Sequence, residues 1–224
     1  MPEELLVSHC APTLAGLKTA NLFSCSCPCP AQLAQEVTRL NKQLNSKGVC
    51  VQVLSNRGKR ALIYVYRPKR LEKDLNHPDT LCFLKQCGYQ NGCALDLVQQ
   101  LQEKLCESQD FPHEIGLFLG YPFEDVQGFI QNRGCNCRLC GYWKVYANEC
   151  EKKRLFEKYS HCRNVYCRKW TEGSVSYTHL DVYKRQRYRR PSAPRRLSPN
   201  KSCSKGILRY RTVHECRFRQ SAPG

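Results

Sequence analysis

Apolar residues recur at helical spacing through much of the first three quarters of the chain. Residues 30–47 place Leu33, Val37, Leu40 and Leu44 on one stripe, opened by Pro30 and followed by Gly48, and so predict an amphipathic helix. The stripe returns over residues 93–107 through Leu97, Leu101 and Leu105. Shorter helices are predicted at 69–75, at 78–87 ahead of Gly88, and at 122–131. In the last of these Glu124 and Asp125 lie in the first turn, where carboxylates complement the helix dipole. Strand patterns lie between the helices. Residues 49–54 and 60–66 are β-rich and flank SNRGK, which is a hairpin signal. Residues 115–119 form a short apolar run that predicts a buried strand, and 142–146 predict another. Asn148, with Glu151 three residues on, has the spacing of a capping box and predicts a helix over 149–159. The pattern amounts to an α+β fold: a single domain, with a small, largely antiparallel sheet packed with several helices.

The periodicity stops after Ser174, and the charge changes there too. The 224 residues carry a formal net charge of +17, but 13 of the 36 Lys and Arg and only two of the 19 Asp and Glu fall in residues 175–224. That tail is therefore net +11 and the body, residues 1–174, net +6. The string VSYTHLDVYKRQ at 175–186 resembles the translated mosaic-end adapter of transposon-based sequencing libraries, joined head to head. The resemblance implies that 175–224 is a chimeric artefact, a basic, disordered tail without a function of its own. Nucleic-acid binding is expected only as non-specific contacts of this tail, since the body has no comparable surplus of charge.

No run approaches the roughly 18 consecutive apolar residues that a membrane-spanning helix needs, and the mean hydropathy is −0.59. No membrane partner is expected. The N-terminus MPEELLVSHC lacks the basic and apolar regions of a signal peptide. A cytoplasmic location follows as the expectation, with the cysteines of the body as reduced thiols: metal ligands, nucleophiles or small core residues.

Four blocks, HCAPTLAGLKTANLF (9–23), YRPKRLEKDL (66–75), FPHEIGLFLGYPFEDVQGFI (111–130) and CGYWKVY (140–146), resemble a family of uncharacterised bacterial proteins, the domain of unknown function DUF3793. The resemblance covers nearly all of residues 1–174 and nothing after them. It implies no activity, substrate or cofactor.

Candidate chemistry therefore comes from the residues. Cys135, Cys137 and Cys140 lie in CNCRLC, followed by Cys150, Cys162 and Cys167. Cys137-x2-Cys140 is the spacing at which two thiolates share a tetrahedral metal, and Cys162-x4-Cys167 offers a second pair. Residues five apart on one continuous helix lie about 140° apart around its axis. Joint ligation by Cys137, Cys140, Cys162 and Cys167 thus requires a break near Arg163-Asn164. Such a site would hold a structural zinc; an iron–sulfur cluster uses the same four thiolates and stays open as an alternative. Cys25, Cys27 and Cys29 read as a Pro-rich loop ahead of a helix.

The alternative function is a thiol enzyme or redox sensor acting through Cys10 with His9, Lys18 or His113, because a nearby cation activates a thiol. His113-Glu114 reads as a corner into a strand, and it lacks the second His of an HExxH zinc site. There is no P-loop, GxGxxG or GxSxG. Arg67, Lys69, Arg70 and Lys73 read as the solvated face of a short helix. Substrate, reaction and oligomeric state are not legible at this level.

Overall fold

The computed structural model describes residues 3–107 and 110–173, so the basic tail expected from 175 onward lies outside the described residues. In chain order the elements are α1 (Glu3–Leu14), β1 (Ala20–Ser26), α2 (Pro30–Leu44), β2 (Cys50–Arg57), β3 (Arg60–Tyr66), α3 (Pro68–Leu75), α4 (Pro78–Gln86), α5 (Ala94–Glu107), α6 (Ile115–Phe118), α7 (Phe123–Gln131), β4 (Leu139–Cys140), β5 (Lys144–Val145) and α8 (Glu149–Thr171). The fold is α+β.

The central strand explains the layering. Strand β3 pairs antiparallel with β1 on one side and β2 on the other, in the order β1-β3-β2. Its sequence alternates between two buried faces, which is why it reads as an almost unbroken apolar run. Ala61, Ile63 and Val65 face the core built with α1, α2 and the end of α8, while Tyr64 and Tyr66 face a second core built with α3 to α7. A smaller cluster of Trp143, Val145, Phe156 and Tyr159 packs the β4–β5 hairpin onto α8.

The expected hairpin is present as β2–β3, closed between Arg57 and Arg60. The helices expected at 30–47, 69–75, 78–87, 93–107 and 122–131 are all present; the first ends in a short 3-10 turn, Asn45–Lys47. Three expectations need correction. Residues 115–119 are not a strand, because Ile115–Phe118 is one helical turn; a short apolar run has no period with which to distinguish the two. The strand at 142–146 shrinks to Lys144–Val145, paired with Leu139–Cys140. Asn148 makes no side-chain cap bond and sits in the left-handed region at φ 54°, so the capping box does not form. The helix it precedes runs on past Tyr159 to Thr171 without a break.

Of the basic residues at 67–73, Lys69 and Lys73 are exposed as expected, while Arg67 and Arg70 have a further task. Arg67 donates from Nε to the Thr13 carbonyl (2.7 Å), from Nη2 to Leu14 (2.6 Å) and from Nη1 to Lys47 (3.2 Å). Arg70 donates to the Gly16 carbonyl. These guanidinium groups satisfy carbonyls at the ends of two helices, where a positive charge also complements the dipole.

Candidate functional site

The cysteines separate into an interior set and a surface set. In the interior, Cys10 lies on α1 and is 0% exposed, and Lys18, just beyond that helix, is 3% exposed. The Lys18 ammonium donates to the Ala20 carbonyl and lies 5.0 Å from the centre of the Tyr121 ring. Among the described residues no carboxylate pairs with it. Burial pulls its pKa down to about 7, with the Cys10 thiol opposing that shift. Burial pushes the Cys10 thiol up, with Lys18 opposing. Desolvation exceeds the attraction at both groups, so the resting pair consists of a neutral thiol beside an amine that loses its proton near neutrality.

The other residues expected to assist Cys10 have other neighbours. His9 stacks on Phe23 at 5.1 Å, and its pKa is lowered first by burial and then by the charge of Arg163. His113 meets Phe129 edge-on at 5.1 Å, with its buried Nδ1 lacking a hydrogen-bond partner. Glu114 accepts from Tyr89 and from Lys104, both at 3.3 Å, so it ties the α6 region to α5. His113-Glu114 leads into helix α6, not into a strand.

The four-cysteine metal set is not assembled. Cys162 is buried and donates to the Ala11 carbonyl at 3.6 Å, while Cys140 belongs to the β4–β5 hairpin and Cys137 to the loop that leads into it. Because α8 is continuous, Cys162 and Cys167 point about 140° apart. Among the described residues no group of three or more His, Cys, Asp or Glu side chains comes together as a metal ion requires. That arrangement gives no support to the structural zinc site expected on these four residues. Cys25 and Cys27 are buried with the α1–α2 core, and Cys25 belongs to β1, not to a loop.

Of the less buried thiols, Cys135, Cys137 and Cys140 share one segment near Tyr146, apart from Cys82, Cys93, Cys106 and Cys150. After α7 the chain turns through Arg133 (φ 50°), Gly134 (φ 75°) and Asn136 (φ 57°). With Asn148, Arg133 and Asn136 make up the non-glycine residues at positive φ among those described, and all three frame this segment. Such backbone is costly for residues with a Cβ and concentrates at functional loops. Lys144 Nζ donates to the Gly134 carbonyl (2.6 Å) and the Tyr146 hydroxyl to the Cys135 carbonyl (3.0 Å). Burial pushes the Tyr146 phenol up to about 12, and Cys137, Cys135, Asp125 and Cys140 add to that shift.

Asp125 anchors the arrangement. It is buried and accepts from Trp143 Nε1 (2.7 Å), Tyr146 N (2.7 Å) and Ala147 N (3.1 Å). It lies in the first turn of α7, as expected for a carboxylate that complements the dipole, and it also fastens α7 to the strand after the cysteines. Gly128 permits the close approach, since a Cβ there would come within 2.6 Å of the Tyr146 ring. Neither Asp125 nor Tyr146 carries a local signal for this role, because their partners are 11 to 22 residues away.

A family model described as a protein of unknown function, DUF3793, matches residues 6–179. The chain belongs to the DUF3793 family. No curated protein and no solved structure matches it. The match confirms the resemblance read from the four blocks, although it ends at 179 and not at 174. In this DUF3793 chain the fifteen described cysteines are all free thiols, and those of the hairpin differ in access: Cys135 and Cys140 are exposed and Cys137 half-buried. No helix among the described residues is long and apolar enough to cross a membrane.

Proposed function

We propose that this DUF3793 chain is a redox-responsive thiol protein whose working group is the hairpin trio Cys135, Cys137 and Cys140. One observation carries the reading: Cys135 and Cys140 are exposed and Cys137 is half-buried in one loop with positive-φ backbone, whose Cys135 carbonyl is tied to the Tyr146 hydroxyl. Thiol–disulfide exchange needs an accessible attacking sulfur and a second one close enough to resolve the mixed disulfide. Cys135 and Cys140 offer accessible sulfurs in one short loop, which favours them for both tasks, whereas Cys10 has no access to solvent. In the forward step one cysteine thiolate attacks a small disulfide and expels one thiolate. A second cysteine then attacks the protein sulfur, expels the other thiolate and closes the intramolecular S–S bond. The two cysteines lose two electrons and two protons, and the small disulfide becomes two thiols.

The test is to equilibrate the full chain in redox buffers of increasing oxidising strength and map thiols by differential alkylation and mass spectrometry. The expected result is one disulfide within residues 135–140, formed before any other, reversed by dithiothreitol and lost in Cys140→Ser with Cys135→Ser. If the trio stays reduced while the separate exposed thiols Cys82, Cys93 and Cys106 oxidise, the reading fails.

A further inference from the structure

Resting on that reading, we infer that the hairpin takes small disulfides bearing carboxylates, in preference to neutral or cationic ones. The argument begins with charge. From residue 126 to residue 148 there is no Asp or Glu, while Arg133, Arg138 and Lys144 fall within that span. Lys144 is engaged with the Gly134 carbonyl and the Phe129 ring. Arg133 and Arg138 are exposed, and their guanidinium groups form no hydrogen bond or ion pair with any described residue.

Their placement gives this free charge its meaning. Arg133 immediately precedes the cysteine loop and is fixed at φ 50°; Arg138 lies between Cys137 and Cys140, and its N–H bonds to Val145 (2.8 Å) across the hairpin. Both guanidinium groups are thus attached to rigid backbone beside the reacting sulfurs. Acidic groups do not neutralise them. Asp125 is buried with both oxygens engaged. Glu149 and Glu151, at the start of α8, are followed at once by Lys152, Lys153 and Arg154. Free, planar, bidentate donors next to a reactive site suit carboxylates. The charge also raises the local concentration of an anionic co-reactant.

The experiment compares two disulfides on the reduced full chain: glutathione disulfide, which is net negative, and cystamine, which is net positive. Each rate is divided by that disulfide's rate with free dithiothreitol to remove intrinsic reactivity. At low ionic strength glutathione disulfide should be favoured by about tenfold, shrinking as salt screens the charges. Arg133→Gln with Arg138→Gln should abolish the preference while leaving the neutral disulfide 2-hydroxyethyl disulfide unaffected. Oxidation of the trio by both probes without charge preference overturns this inference and leaves the redox reading standing. If neither probe oxidises the trio, both readings are overturned.

Discussion

Cys10 and the hairpin cysteines both sit near positive charge, yet the fold gives them opposite surroundings. Beside Cys10 the cation is enclosed with the thiol, and both groups are driven toward their neutral forms. At the hairpin the thiols reach solvent, and the cations beside them are also exposed. Proximity of a cation to a cysteine is therefore not enough to make a reactive thiol; the pair must keep its water. In a dry interior desolvation outweighs a single attraction, and the thiol becomes a core side chain.

The largest expected difference is in alkylation. Under native conditions near neutral pH, iodoacetamide should modify Cys135 and Cys140 at rates near those of an unfolded control. Cys10 should lag by about a thousandfold, since it must wait for local opening. Peptide mass spectrometry against time measures both, and comparable rates would erase the distinction between the two regions.

Next in size is the effect of Lys18 on stability. The folded amine sheds its proton near pH 7, while the unfolded one holds it up to the ordinary lysine value of 10.5. Between those values the unfolded state binds more protons, so the Lys18 contribution to stability rises with pH across that window. It is fully unfavourable below about pH 7. Above about pH 9 the Cys10 thiol, which keeps its proton in the fold and loses it when unfolded, pulls the other way. Lys18→Met should raise stability at pH 6 by about 2–4 kcal/mol and remove the rise between pH 7 and 9. Denaturant melts at a series of pH values would show it, and a variant no more stable than the parent at pH 6 would contradict the placement of Lys18.

On the hairpin side, Asp125→Ala should cost about 2–3 kcal/mol, because it leaves the Trp143 indole and two backbone amides without their acceptor. It should also bring Cys137 closer to the labelling rate of its exposed neighbours. Intact labelling ratios would show that Asp125 does not hold the hairpin. The smallest effect belongs to Asn136→Gly, which relieves a left-handed non-glycine residue and should change stability by less than about 1 kcal/mol in the favourable direction. A loss of more than that would mean the Asn136 side chain contributes to the loop.

How much of this was legible in the sequence depended on the range of the interactions. Helices α2, α5 and α7 and the β2–β3 hairpin each carry a local period or turn signal, and each is where the pattern places it. Helix α1 gave none. Its second half, Cys10 to Leu14, is buried on all sides and contains Pro12, so no polar face alternates with an apolar one. The expected break at Arg163-Asn164 was drawn to bring Cys162 and Cys167 together. A local signal argued otherwise: Phe156, Tyr159, Cys162, Val165 and Tyr166 form one stripe at helical spacing, and all are buried. The Cys137-x2-Cys140 pair was visible as a motif. Its arginines, Arg133 and Arg138, are local to it, but Asp125 and Tyr146 join its surroundings only through the tertiary fold.

The Arg67 guanidinium has one more consequence. It joins carbonyls at residues 13 and 14 to one at residue 47, and its own backbone N–H bonds the Thr19 carbonyl at 3.0 Å. The end of α1 is thus finished by a residue that arrives only when β3 has paired with β1. That last turn and the sheet are one cooperative unit: neither has its complete set of partners until the chain has doubled back, and hydrogen exchange should find them opening together.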